Sequence, residues 1–410
     1  MNNEGSVTRP DFGRPLVRSM KYCTRCCMPA SNEGMQFDEM DICLACQSNE
    51  QKIHIDWTAR EKELRKIFEH YRNLGNAYDC IVPISGGKDS IFQLHVVTQV
   101  YHLRPLAVTF SHNWYSETGR YNLQNALEKL NVDHIMYTPN RDLVNKLARR
   151  SLLKIGDSCW HCHAGVGSFP LHVAVKFKIP LLIWGESLAD MSGRDSHNSR
   201  VLTFDRDYFT KVSAKVYAEQ MASEEISLRE LSMFHLPSYE EVKTAGVVGI
   251  HLGDFMFWDD ERQMEFVRDV YGWREDHVEG TYKGYKSVEC IMAGVHDYTK
   301  FLKRGFGRGT DHASIDVRAG LLTRQEAFEL AKKHDTERPD ALDYYLKITG
   351  FSEKEFEAVM AEHRRSLKIE GLSDEEFSRA VEEYRHGSPY CHACSSCSST
   401  GESNTVHENP

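Results

Sequence analysis

Apolar positions change their period twice along the chain. Over 56–71, Leu64, Ile67, Phe68 and Tyr71 share one helical face, and Thr58 followed by Glu61 resembles a capping box. From Tyr78 onward, short apolar runs alternate with helical stretches. Strands are predicted at 80–84, 105–110, 134–137 and 180–184, the last ending at Gly185. Helices are predicted through 93–100, over 121–130, and along the stretch carrying Leu143, Leu147 and Leu152. This alternation predicts an α/β fold: a parallel sheet with crossover helices, which takes ligands at the carboxyl ends of its strands. Pro83 is a blemish in the first strand, because it cannot donate to a ladder on its side. Beyond about residue 235 the pattern turns charged and helix-rich, with helical spacing at 326–333 and 353–365. The expected organisation is a disordered leader (1–19), a cysteine-rich zone (20–50), the α/β domain (51–235), a helical C-terminal region (236–385) and a flexible Cys/Ser-rich tail (386–410).

Length allows two or three folding units in 410 residues. The formal net charge of −10 gives no global attraction to nucleic acid, so none is expected as a partner. No apolar run is long enough to span a bilayer and no signal-peptide pattern opens the chain. Nine of the twelve cysteines fall in C-x-x-C-type clusters, which indicates metal rather than disulfides and a cytoplasmic setting.

Ser85-Gly86-Gly87-Lys88-Asp89-Ser90 follows a strand and opens a helix. Two glycines let the backbone approach an anion, and the helix N-terminus adds partial positive charge. Lys88 supplies a full charge, the serines supply hydroxyls, and Asp89 is available to hold Mg²⁺. The span is too short for the loop of kinases and GTPases. It looks like the SGGxDS loop of the PP-loop ATP pyrophosphatases, which implies ATP splitting to AMP and pyrophosphate through an adenylate.

Cys23-x2-Cys26 and Cys43-x2-Cys46 have the spacing of a zinc ribbon, a structural Zn²⁺ site with four thiolates and no open position. Cys27 reads as a bystander or an alternative ligand. Cys159-Trp160-His161-Cys162, followed by His163, leaves three readings: a packed motif, half of an iron–sulfur or zinc site, or a redox pair. The resemblance to PP-loop thiolases, which hold an iron–sulfur cluster with a C-x-x-C and a distant cysteine, would give Cys290 the third position. Cys391, Cys394 and Cys397 form part of a ferredoxin-like run without its fourth cysteine.

Four segments in order narrow the resemblance: the 22–46 cysteine segment with Met28-Pro29, the loop at 84–90, Cys159–Cys162, and Phe306-Gly307-Arg308-Gly309-Thr310-Asp311-His312-Ala313-Ser314. Over roughly residues 20–380 they resemble the N-acetyl sugar amidotransferases of bacterial surface-polysaccharide and nonulosonic-acid pathways. The resemblance implies that ATP activates the acetamido oxygen of a free or nucleotide-linked sugar, and that ammonia displaces AMP to give an acetamidino group, in lipopolysaccharide or related glycan biosynthesis. Asn2 follows the initiator methionine and no glutaminase elbow is present, so ammonia is expected from a separate glutaminase.

The resemblance assigns Ser85 through Ser90 to pyrophosphate and metal, and the end of the second strand, Phe110 and Ser111, to adenine. His112 and Trp114 follow in the same cleft, and Gly185 with Glu186 ends the fourth strand, Glu186 facing Mg²⁺ or sugar. Cations interleaved with glycine and aromatics at 282–286 and 303–308 suit phosphates or a sugar carboxylate, with Arg308 the foremost. Asp311 and His312 are acid/base candidates, as is His296-Asp297-Tyr298. The expected catalytic set is therefore Lys88, Asp89, Arg308 and His312. A tRNA thiolase with an iron–sulfur cluster is the nearest rival reading, and a non-catalytic zinc-ribbon adaptor is a third.

Overall fold

A computed structural model describes residues 12–72, 74, 77–187, 189 and 214–387. The first eleven residues of the expected leader, and the tail with Cys391, Cys394 and Cys397, lie outside the described residues. Residues 12–19 correct the expectation of a loose leader: Val17 is buried, and with Met20 it packs against Phe301, Leu372 and Phe377. Leu16 packs on the same cluster, and the Gly13 N–H donates to Glu329 Oε1 at 2.7 Å.

The centre is a five-stranded parallel sheet of β1 (Cys80–Pro83), β2 (Pro105–Phe110), β3 (Asp133–Tyr137), β4 (Leu181–Trp184) and β5 (Val248–His251), in the order β3-β2-β1-β4-β5. Four strands stand where the periodicity puts them. β5 lies past residue 235, so the sheet draws its edge strand from the region whose sequence reads as helical. Its Val-Gly-Ile-His run is too short and too interrupted by glycine to carry a strand period.

Both faces of the sheet are covered, as crossover topology requires. Cys80, Val82 and Ile84 pack with Leu64, Phe68, Leu94, Leu123 and Val267, from helices Trp57–Arg72, Lys88–His95, Glu117–Leu130 and Asp260–Tyr271. Ile81, Val108 and Leu182 face the other way, onto Leu143, Leu147, Phe169 and Leu171 of helices Arg141–Ile155 and Trp160–Phe177. Helix Trp57–Arg72 is capped by the Asp56 carboxylate, which accepts the Ala59 N–H at 2.9 Å, rather than by the box expected at Thr58. Pro83 is the last residue of β1. Ile84 N–H donates toward β2 at Val108 O (2.9 Å), so by alternation the missing Pro83 N–H faces β4, where pairing is confined to Ile81 and Leu182. The proline thus falls where the ladder has already opened.

Strand order reverses between β1 and β4. This is the switch point at which a parallel sheet opens a crevice beyond its carboxyl ends, and it brings the Ser85–Ser90 loop beside Gly185 and Glu186. The C-terminal helices, from Ala293–Arg304 to Asp374–Gly387, close over this end through Val144, Leu152, Leu342, Tyr345 and Phe356.

The cysteine-rich zone docks on these helices. Its four sulfurs are buried, with Cys23–Cys46 at 3.9 Å and Cys26–Cys43 at 3.7 Å. A zinc tetrahedron with 2.3 Å bonds has edges of about 3.8 Å, so the four cysteines fit such an ion. Arg324 Nε donates to the carbonyls of Cys23 (3.0 Å) and Cys26 (2.9 Å), and Phe306 packs against the knuckles. Cys27 points away, its sulfur 3.1 Å from Ser314 Oγ, which removes it from the ligand set.

Glycine at 165 lets helix Trp160–Phe177 lie on β2, because a Cβ there would sit 2.2 Å from the Phe110 ring. Gly165→Ala is expected to lower stability by about 1–3 kcal/mol, read as a lower urea midpoint with unchanged slope. Phe110→Leu in the same chain should recover part of the loss.

Candidate functional site

Helix Lys88–His95 begins directly at the switch point, with Gly87 at its N-cap. The loop before it is tied internally. Ser85 N–H donates to Ser90 Oγ (3.3 Å), Gly87 N–H to Ser85 Oγ (3.2 Å) and Ser90 Oγ to the Gly87 carbonyl (2.9 Å). Gly86 takes φ +94, and a Cβ on it would meet the Gly119 carbonyl at 2.7 Å. Trp273 Nε1 donates to the Gly86 carbonyl at 3.0 Å.

Lys88 is 1% exposed, and its ammonium is matched by Asp89 Oδ1 at 2.5 Å and Asp260 Oδ1 at 2.8 Å. Burial pulls its pKa down, but Asp89, Asp260 and Glu186 outweigh that and hold it charged. Lys286 pairs with the other Asp260 oxygen and lies 4.0 Å from Glu186 Oε1. Glu186 is pushed up to about 8 by burial and then by Asp89, while Asp260 is depressed, its burial overcome by Lys286 and Lys88. One oxygen each of Asp89, Glu186 and Asp260 lies within 4.8 Å of the other two. Such an all-oxygen set is of the kind that could hold a hard divalent cation.

A second group reaches the loop from the C-terminal region. Residues 288–291 run against 114–116: Ser116 N–H donates to the Glu289 carbonyl (3.0 Å) and Ile291 N–H to the Trp114 carbonyl (3.0 Å). Gly119 makes room, since a Cβ there would fall 2.3 Å from Glu289 Cα. The Glu289 carboxylate consequently hangs over Gly87, whose own Cβ would lie 3.4 Å from both its oxygens. Oε1 accepts a long bond from Ser85 Oγ (3.5 Å), and Oε2 is buried without a partner. Burial raises the Glu289 pKa. Arg308 starts helix Arg308–Arg318, where its guanidinium pairs with Asp297 and donates to Ser287 Oγ.

Several expected residues stand elsewhere. The Phe110 ring is 4% exposed, wedged under Gly165 and edge-on to Phe234, so the strand end offers Ser111 and backbone rather than an aromatic face. His312 is buried, its Nδ1 2.6 Å from Thr281 Oγ1. Burial, then the nearby Arg308, Lys286 and Lys283, lowers its pKa and favours the neutral imidazole. His112 is likewise neutral, lowered to about 3 by burial, and stacks on Tyr115.

Cys159 is buried in the apolar cluster of Leu342, Tyr345 and Phe356, with Cys162 and Cys290 at its margin. Among the described residues these three do not converge as the ribbon cysteines do. Asp260 and Glu289 have no signal of their own in the sequence. Asp260 reads as an ordinary acid in a helix's first turn, and Glu289 as one polar residue between Val288 and Cys290.

Residues 279–390, which carry Glu289, Asp297, Arg308 and His312, match the family described as LPS biosynthesis protein WbpG-like, C-terminal domain. The chain is also similar to an uncharacterized protein of Methanocaldococcus jannaschii, 25% identical over 306 residues covering 74% of this chain and 88% of that protein. Similarity to a lipopolysaccharide-biosynthesis family is thus carried by the region that closes over the sheet. Among the described residues, no helix is long and apolar enough to cross a membrane.

Glu186 binds its proton more tightly folded than unfolded. It therefore stabilises the fold at low pH and loses that contribution as pH rises through about 8. The melting temperature of the wild type, relative to Glu186→Gln, should fall between about pH 5 and 8. Added Mg²⁺ should restore it most at the upper end.

Proposed function

We propose that the protein is an ATP-dependent amidotransferase acting on an N-acetylated sugar of lipopolysaccharide or related glycan biosynthesis. The observation that carries the reading is the meeting at one crevice of the Ser85–Ser90 loop and Glu289, a residue of the region similar to the WbpG-like family. The resemblance of the loop to PP-loop pyrophosphatases supplies the chemistry.

On this reading the loop amides, Lys88 and the helix N-terminus hold the β,γ-pyrophosphate. Asp89, Glu186 and Asp260 hold Mg²⁺, which supplies charge neutralisation of the phosphates. The acetamido oxygen attacks the α-phosphorus, and the bond to pyrophosphate breaks. Ammonia then adds to the imidate carbon, one proton passes from nitrogen to Glu289 Oε2, and the carbon–oxygen bond to AMP breaks. Arg308, tethered by Asp297 and close enough to Glu289 for its charge to act on that carboxylate, would meet the anionic leaving groups. A carboxylate whose pKa is raised by burial is a stronger base than an ordinary one, which suits that proton transfer. Ammonia arrives from a separate glutaminase, and the four-cysteine site holds structural Zn²⁺.

Incubation with Mg-ATP, ammonium and a panel of N-acetylated sugars, free and nucleotide-linked, should give AMP and a product about one mass unit lighter than its substrate. AMP without a sugar product would favour the tRNA-thiolase reading, and no AMP with any acceptor would refute the enzyme. Lys88→Met should abolish AMP formation. Glu289→Gln should lower product formation by about 10²–10⁴-fold. An equal loss in ATP–pyrophosphate exchange would place Glu289 in the first step instead of the second.

A further inference from the structure

A second convergence of ligand-type side chains lies apart from the carboxylates around Lys88. Asp157 sits in the turn between helices Arg141–Ile155 and Trp160–Phe177 and is 3% exposed. His163 belongs to the first turn of the second of these helices, and His296 to the first turn of helix Ala293–Arg304. Three separate elements therefore deliver one donor atom each, and all three atoms lie within 4.8 Å of one another. His296 Nδ1 is 3.1 Å from Asp157 Oδ1, and the rings of His163 and His296 are 5.0 Å apart.

We propose that Asp157, His163 and His296 form a metal centre for a divalent transition ion of the zinc or ferrous class. A carboxylate oxygen and an imidazole nitrogen at 3.1 Å require a positive particle between them, either a proton or a metal ion. The adjacent second imidazole is what distinguishes a coordination site from a simple His–Asp pair. Two nitrogens and one carboxylate oxygen are the donor set of borderline divalent ions, and three protein ligands leave at least one position open.

The site also has an outer shell. The Cys159 N–H donates to Asp157 Oδ1 at 2.9 Å and Ser151 Oγ donates to the Asp157 carbonyl at 2.6 Å, fixing the turn as outer bonds fix metal carboxylates. His163 also lines a cavity of about 30 Å³ with Trp160, Tyr217 and Phe234, room enough for a water-sized ligand.

Cations face the group from neighbouring elements. Lys215 Nζ lies 3.1 Å from Asp157 Oδ2 and is the competing counter-ion, but it engages the oxygen that His296 does not. Lys303 donates to the carbonyls of Ile155 and Gly156, at 2.9 Å each, and so is turned to the backbone. Arg308 is held by Asp297. The centre differs from the four-cysteine site in chemistry as well as place: it has no sulfur donor and its shell is open. It does not rest on the amidotransferase reading.

The test is metal content and Co²⁺ spectroscopy of the full chain, loaded with Zn²⁺ or Co²⁺ in excess Mg²⁺ so that the Asp89, Glu186 and Asp260 carboxylates do not take the ion. His163→Ala and His296→Ala should each bind one equivalent fewer than the wild type. Each should also lose visible Co²⁺ bands that lack sulfur-to-metal charge transfer, while the thiolate signature of the four cysteines persists and reports an intact fold. Lys215→Met, which removes the competing cation, should keep the equivalent and bind it more tightly. Equal metal content in wild type and both histidine variants, or a wild type whose Co²⁺ spectrum is thiolate alone, would overturn the proposal and leave Asp157 as the counter-ion of Lys215 and His296.

Discussion

The structure turns on one buried cation. Lys88 carries a full charge at 1% exposure, at the point where the sheet's strand order reverses. An ammonium removed from water to that extent costs several kcal/mol unless carboxylates meet it, and one partner does not suffice when its second oxygen must also be satisfied. Asp89 is local, the next residue in the loop. Asp260 arrives from a helix 172 residues further on, and Lys286 then satisfies its other oxygen. This chain of ion pairs requires helix Asp260–Tyr271 to lie against helix Lys88–His95. It also requires β5 to join the sheet beside β4, and the segment around Lys286 to fold back over the crevice. The polar network thereby specifies where the apolar layers around it must go.

The same crevice is closed by a second constraint, which is steric. Two chain segments distant in sequence, 114–116 and 288–291, hydrogen bond along their backbones at the mouth of the loop. They approach so closely that Gly119 admits no side chain. That approach places the Glu289 carboxylate above Gly87 with an oxygen unpaired, in a structure where most buried polar atoms are matched. An unmatched, buried carboxylate oxygen above Gly87 is a poor stabiliser and a good proton acceptor. Such a departure from full polar satisfaction is the kind expected at functional positions.

The cysteine zone belongs to this arrangement rather than standing beside it. Its knuckles are held by Arg324 and lie on Phe306, immediately before Arg308. Whatever ion fills the four sulfurs would therefore also steady the start of the helix that Arg308 opens. The ribbon's position gives a physical reason for a structural site so far, in sequence, from the residues it supports.

Much of this was legible in the chain. The alternation of apolar runs gave four of the five strands, because a strand buried on both faces needs continuous apolar residues over a fixed short length. The turn of the 85–90 loop into a helix, and the paired C-x-x-C knuckles, were legible because a glycine turn and a four-thiolate cluster are set by residues close in sequence. β5 was not legible, since four residues with a central glycine carry no period of their own. Nor were the partners: that Asp260 rather than a nearer acid matches Lys88, that Glu289 reaches Gly87, that Phe110 turns into the core and that His312 is held neutral. Each of these depends on charge pairing, burial and close packing between segments tens to hundreds of residues apart. The local chain determined which chemistry was available, and only the tertiary structure decided which groups meet and in what state of charge.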